Sequence, residues 1–252
     1  MMSCDEKEIC GRQFRYDILL WDIDGTLMDF KQSEAMALSQ SLRDIGIEPT
    51  EEMVPDYSRI NLSYWKRLEK GELTKEEVLV GRFVEFLGKY HIEADAKEFL
   101  GRYENYLSHV WFIQDDSLDV CRMLKEKGFR QYVVTNGWVE VQKTKLYESG
   151  FDQIMDGAFI SDEIGVPKPK KEFFEACFEK IFGTSQPREA DRKRVLIIGD
   201  SLTSDMQGGI NVGIDCCWYR NPGEENPENL PVDYEIQELH EIYRVLELFD
   251  EE

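Results

Sequence analysis

The chain has 252 residues, of which 42% are hydrophobic, 12% aromatic and 32% charged, enough apolar material for a sizeable core beneath a well-solvated surface. Its 30 basic and 51 acidic side chains leave a net charge of −21, which repels nucleic-acid backbones and anionic membranes, so neither is an expected partner. No apolar run approaches the roughly 20 residues that cross a bilayer, Met1 to Arg15 lack the apolar centre of a secretory signal, and the expected location is cytoplasmic.

The first element runs from Tyr16 to Trp21, apolar and strand-compatible, and leads into Asp22, Asp24, Gly25 and Thr26. Two carboxylates one residue apart repel each other unless a hard cation such as Mg²⁺ or a shared proton lies between them. A solvated acidic turn at a strand end is the alternative that this segment alone leaves open.

From about Ser33 to Trp111 the apolar residues take helical spacing, as in Leu38-Leu42-Ile45, Phe83-Phe86-Leu87 and Phe99-Tyr103-Leu107. Breaks at Gly46 to Pro55 and Gly71 to Thr74 divide the stretch into about four helices, and Thr74 with Glu77 has the form of a capping box. Its place between the first two strands makes it an insertion.

Strands and helices then alternate: a helix at Ser117 to Lys127, a strand at Gln131 to Gly137, a helix at Val139 to Ser149, a short strand at Gly157 to Ser161 and a helix at Lys170 to Phe182. A strand at Arg194 to Asp200, a helix near Ser204 to Val212, a strand at Asp215 to Arg220, a turn-rich loop at Asn221 to Asp233 and an amphipathic helix near Ile236 to Phe249 complete the chain. This order predicts an α/β fold with a parallel sheet covered by helices on both faces. The expected organisation is a Rossmann-like core at 1–30 and 113–252 and an inserted helical domain at 31–112.

Cys4, Cys10, Cys121, Cys177, Cys216 and Cys217 lack the paired spacing of a zinc site and read as free thiols. His91, His109 and His240 lie far in sequence from the acid pair, which argues against a His-based centre.

Ligands of such sheets bind at the carboxyl ends of the strands. There the sequence places Asp22 and Asp24, Thr135 and Asn136, Lys168 between two prolines, and Gly199-Asp200 through Asp205. Each group alone reads as a turn, a cap or a surface lysine. Together, each following a predicted strand, they read as one site.

These four groups resemble the motifs of the haloacid dehalogenase superfamily, and the resemblance runs from about Tyr16 through the rest of the chain. More narrowly, Asp24 through Phe30, Asn61-Leu62-Ser63-Tyr64-Trp65, Gly81-Arg82-Phe83 and Gly199 through Asp205 are similar to the noncanonical pyrimidine nucleotidases of that superfamily. The resemblance implies a Rossmann-like core with a helical cap, and a Mg²⁺-dependent phosphate monoester hydrolase working through an aspartyl-phosphate. It implies Asp22 as nucleophile, Asp24 as general acid and base, and Thr135, Asn136 and Lys168 as phosphate-binding. The metal ligands would be Asp22, the Asp24 backbone carbonyl and Asp200, with Asp205 acting through water or orienting Lys168. Asn61, Trp65, Arg82 and Phe83 are the candidates for substrate choice, with packing of the helical core as their alternative role.

The expected partner is a small phosphate ester, a nucleotide by the narrower resemblance, and the expected assembly a monomer or small homo-oligomer. A sugar-phosphate or phosphoglycolate-type phosphatase, a phosphomutase, and a non-catalytic binding module are the competing functions.

Overall fold

The computed structural model describes residues 14–248. Cys4, Cys10, most of the polar leader and Phe249 lie outside the described residues. In chain order the elements are β1 (Ile18–Trp21), α1 (Phe30–Asp44), α2 (Met53–Glu69), α3 (Lys75–Lys89), α4 (Ala96–His109), α5 (Ser117–Lys127), β2 (Arg130–Thr135), α6 (Val139–Ser149), β3 (Gly157–Ile160) and α7 (Ser161–Ile164). There follow α8 (Lys171–Phe182), α9 (Glu189–Arg192), β4 (Val195–Gly199), a π-helical turn (Leu202–Met206), α10 (Gln207–Val212), β5 (Asp215–Tyr219), β6 (Tyr234–Ile236) and α11 (Ile242–Val245).

The chain divides into two compact units. One takes in the segment ending at Met28, Ile113–Trp138 and the segment from Gly150 onward; the other comprises Asp29–Phe112 and Val139–Ser149. The first contains one parallel sheet with strand order β3-β2-β1-β4-β5-β6. Strands β1 and β4 are fully buried and apolar, as central parallel strands must be when helices cover both faces. The side chains of Ile18, Leu20, Val195 and Ile197 share a cluster with Phe173, Phe174, Cys177 and Phe178 of α8.

The register places Trp21 opposite both Val133 and Ile198, so β1, β2 and β4 end side by side. The Asp22 N–H extends that ladder by donating to the Ile198 carbonyl at 2.9 Å. Strand order also reverses between β1 and β4, and such a reversal opens a crevice at the carboxyl edge. Asp22, Asn136 and Asp200 all leave the sheet there.

The second unit is wholly helical. Its Thr74 hydroxyl accepts from the Glu77 N–H at 3.3 Å while the Glu77 carboxylate accepts from the Thr74 N–H at 2.8 Å, completing the expected capping box. The inward faces meet in an aromatic core, where the Tyr57 ring stacks on Phe83 with centroids 5.1 Å apart and planes inclined by 16°. Helix α6 belongs to this unit although sequence order sets it within the Rossmann-like part: Val141 joins the same apolar cluster as Leu38, Phe86 and Phe99.

The C-terminal expectation needs correction. In place of one amphipathic helix from Ile236, residues Tyr234–Ile236 form an edge strand, and a 3-10 turn (Leu239–Glu241) leading directly into the short α11 follows among the described residues. Ile236 pairs with Tyr219 and is buried, so sheet pairing claims a residue whose helical spacing alone suggested otherwise. No helix among the described residues is long and apolar enough to cross a membrane.

Candidate active site

Lys168 occupies the centre of the sheet's carboxyl edge. Its side chain is 2% exposed, and its ammonium donates to Asp22 Oδ1 at 2.7 Å, Asp205 Oδ1 at 2.5 Å and the Val134 carbonyl at 2.7 Å. An ammonium has three protons, and all three are placed on oxygen. Burial alone would lower its pKa, but the carboxylates of Asp205 and Asp22 more than offset this and raise it, so Lys168 is a fixed cation.

Asp22, at the end of β1, is 8% exposed. Burial drives its pKa up to about 7; Lys168 opposes that rise, while Asp205 and Asp24 add to it through like charge. Asp200 follows β4, and its pKa is raised by burial first and then by Asp22, Asp205 and Glu224. Carboxylate oxygens of Asp22, Asp200 and Asp205 can all lie within 4.8 Å of one another. Three acids around one ammonium leave a surplus of negative charge in a poorly hydrated place. Hard oxygen donors with such a surplus suit a small divalent cation.

Close backbone approach makes this density possible. Gly25 has φ 96°, and a Cβ there would collide with the Asp200 carboxylate. At Gly199 a Cβ would strike the Asp205 carboxyl group. The π-helical turn starts from Ser201, whose hydroxyl accepts from the Ser204 N–H at 3.1 Å, while Asp205 Oδ2 accepts from the Ser201 N–H at 3.2 Å. The turn thereby sends Asp205 back toward Lys168.

On β2, the buried Thr135 hydroxyl accepts from the Gly137 N–H at 3.0 Å, which leaves its own proton to donate. The Asn136 carboxamide bonds the backbone of Lys168 in both directions: Oδ1 accepts from its N–H at 2.8 Å, and Nδ2 donates to its carbonyl at 3.0 Å. Nδ2 also donates to Ser204 Oγ at 3.3 Å. Asp24 is partly exposed, in the tight loop where the Gly25 N–H donates to the Met28 carbonyl at 2.8 Å.

Two supporting residues escaped the sequence reading. The Trp218 indole donates to the Asp200 carbonyl at 2.8 Å, and the Asn221 amide donates to the Gly25 carbonyl at 3.2 Å. Trp218 reads in sequence as a core aromatic of β5, and nothing local distinguishes its second task.

The remaining candidates lie in the helical unit. Asn61 and Arg82 are buried and joined to Glu34: Arg82 donates to Asn61 Oδ1 at 2.6 Å, and Asn61 Nδ2 donates to Glu34 Oε1 at 2.7 Å. Ser58 donates to the other Glu34 oxygen. Phe83 is fully buried against Tyr57, and Trp65 is partly exposed on α2.

A family description, haloacid dehalogenase-like hydrolase, matches residues 16–213. YfnB of Bacillus subtilis, named as a HAD-hydrolase, is 36% identical over 235 residues, covering 93% of this chain and 97% of its own. A magnesium-bound crystal structure of YfnB superposes with a TM-score of 0.85, covering 92% of this chain and 99% of that one. The pyrimidine 5'-nucleotidase PynA of Streptococcus pneumoniae is 33% identical, covering 93% of this chain and 94% of its own. The pyrimidine 5'-nucleotidase YjjG of Escherichia coli is 27% identical, covering 92% and 98%. With a family match spanning most of its length and the acid–lysine cluster at the carboxyl edge of its sheet, the chain belongs to the haloacid dehalogenase-like hydrolases.

Proposed function

We propose that this hydrolase cleaves phosphate monoesters through an aspartyl-phosphate on Asp22, with Mg²⁺ as cofactor and pyrimidine nucleoside monophosphates as substrates. The observation that carries the reading is the buried Lys168 ammonium held between Asp22 and Asp205. It keeps one Asp22 oxygen fixed in hydrogen bonding and leaves the other to react. Two similar proteins named as pyrimidine 5'-nucleotidases, matched over nearly their whole length, support the choice of substrate.

The Asp22 carboxylate attacks phosphorus, the bond to the leaving oxygen breaks, and Asp24 gives that oxygen its proton. Asp24, now a carboxylate, takes a proton from water; the resulting hydroxide attacks the aspartyl-phosphate and releases phosphate, freeing Asp22. Lys168 supplies positive charge where the phosphoryl oxygens gather, and Thr135 donates its hydroxyl proton to one of them. Asp22, Asp200 and the Asp24 carbonyl would hold Mg²⁺, with Asp205 orienting Lys168 or acting through water; the bound ion would neutralise phosphoryl charge. Asn61, Trp65, Arg82 and Phe83 remain the residues proposed for substrate choice, Trp65 being the one among them with a partly exposed ring.

The deciding experiment is phosphate release from a panel of nucleoside monophosphates and sugar phosphates, with Mg²⁺ and with chelator. Pyrimidine nucleotides should lead the panel, and chelation and Asp22→Asn should each abolish turnover. A sugar phosphate preferred by more than about tenfold would overturn the nucleotidase assignment. Full activity in pure Asp22→Asn protein would overturn the nucleophile.

A further inference from the structure

We propose that the Asn136 side chain is a positioning residue: it holds Lys168 in place and donates no hydrogen bond to the phosphoryl group. Phosphoryl oxygens only accept hydrogen bonds, so a side chain that binds them must bring an N–H or O–H. Asparagine has two such protons, both on Nδ2. In this site one points at the Lys168 carbonyl and the other at Ser204 Oγ. Its oxygen accepts from the Lys168 N–H and is no donor.

The position of Lys168 explains why such a clamp is useful. The residue sits between α7 and α8, outside any regular element, with Pro167 before it and Pro169 after it. No strand neighbour satisfies its backbone, and a buried N–H or carbonyl left unpaired is costly. Asn136 substitutes for that neighbour by bonding both groups of the one residue. Two positions earlier, the Val134 carbonyl takes a proton of the Lys168 ammonium. The end of β2 therefore grips Lys168 at its backbone and at its tip.

The third bond of Asn136 widens the consequence. Ser204 lies in the π-helical turn that also carries Asp205, and Asp205 is a partner of the Lys168 ammonium. One carboxamide thus ties together the end of β2, the lysine segment and the turn after β4. Lengthening any of its bonds would shift the ammonium relative to Asp22.

The inference rests on the phosphatase reading for its catalytic arm but not for its structural arm. The structural arm uses hydrogen exchange of the Mg²⁺-supplemented full chain. Pro167 and Pro169 carry no N–H, so in a peptide spanning residues 166–169, whose first residue carries a free amine, Lys168 holds the one backbone amide. Asn136→Ala should speed exchange at that amide by at least about tenfold. Unchanged exchange would overturn the clamp, whatever the enzyme's substrate.

The catalytic arm is a double-mutant cycle on release of phosphate from an aryl phosphate. Asn136→Ala should lower kcat/KM by roughly 30-fold and Lys168→Met by more, while the double variant should match Lys168→Met to within about threefold. If the two penalties multiply instead, Asn136 acts on the phosphoryl group independently and the proposal fails. Lys168→Arg closes the same cycle if Lys168→Met does not fold. Wild-type protein that releases no phosphate from any ester would remove the phosphatase reading and leave the exchange result to decide the clamp.

Discussion

The Trp218 indole N–H donates to the backbone carbonyl of Asp200 at 2.8 Å. The ring is buried in the sheet's core cluster, so a rigid apolar body anchors a residue whose own segment has just left β4. Asp200 is thereby braced from its backbone while its carboxylate lies against Gly25. Trp218→Phe keeps an aromatic body and removes the donor. A neutral hydrogen bond contributes about 1 kcal/mol, so the Mg²⁺ dissociation constant should rise roughly fivefold. Calorimetric titration of the folded variant measures it, and an unchanged constant would show that the brace does not reach the metal.

Lys168→Met should be among the most damaging single changes in the sheet-bearing unit. It leaves Asp22 and Asp205 buried with no cation between them, and loss of one partner from a buried ion pair costs about 3–5 kcal/mol. Lowering the pH should recover part of this, because a protonated carboxyl group no longer needs the ammonium. Urea unfolding at pH 8 and pH 5 gives both numbers. A deficit that is equal at the two pH values would mean that lost packing, not lost charge, accounts for it.

Asp200→Asn should stabilise the metal-free protein while ending its response to metal. The Asp200 carboxyl group is held above its ordinary pKa by burial and by Asp22, Asp205 and Glu224, so its charge is unfavourable in the folded state without a cation. A neutral amide of nearly the same shape removes that repulsion. In chelator near pH 8 the variant should melt above the wild type; on adding Mg²⁺ the wild type should gain stability and the variant very little. Equal gains in both proteins would take Asp200 out of the ligand set.

Much of the fold was legible because its signals are local. The apolar positions of α1 to α4 recur at helical spacing, Thr74 and Glu77 announce a helix start three residues apart, and the wholly apolar run ending at Gly199 admits few readings except a central strand. The site groups were legible for a related reason: parallel strands deliver their carboxyl ends to one edge, so residues after β1, β2 and β4 had to converge. What escaped was decided by distant partners. The three residues of β6 are too few to show a period, and Val141 gives no sign in sequence that α6 packs with Phe86 and Phe99. Asn136 was recognisable as a site residue, but the fate of its two protons depends on Lys168 and Ser204, which lie 32 and 68 positions away.

The pH dependence of the metal-free protein follows from Asp22. Its pKa rises from 3.8 to about 7 in the folded state, so the native protein binds this proton more tightly than the unfolded chain does. The stabilisation from the bound proton is fully present below about pH 4 and is lost as pH climbs toward 7. Asp22→Asn has no such proton to lose. In chelator, the stability of the variant minus that of the wild type should therefore grow between pH 4 and pH 7, by an amount on the order of a few kcal/mol. Mg²⁺ favours the carboxylate, so saturating metal should shrink or reverse the difference at pH 7. Chemical denaturation of both proteins across that range, with and without metal, measures it. A constant difference in chelator would mean that Asp22 ionises in the folded protein as readily as in the unfolded chain, and that Lys168 fully compensates its burial.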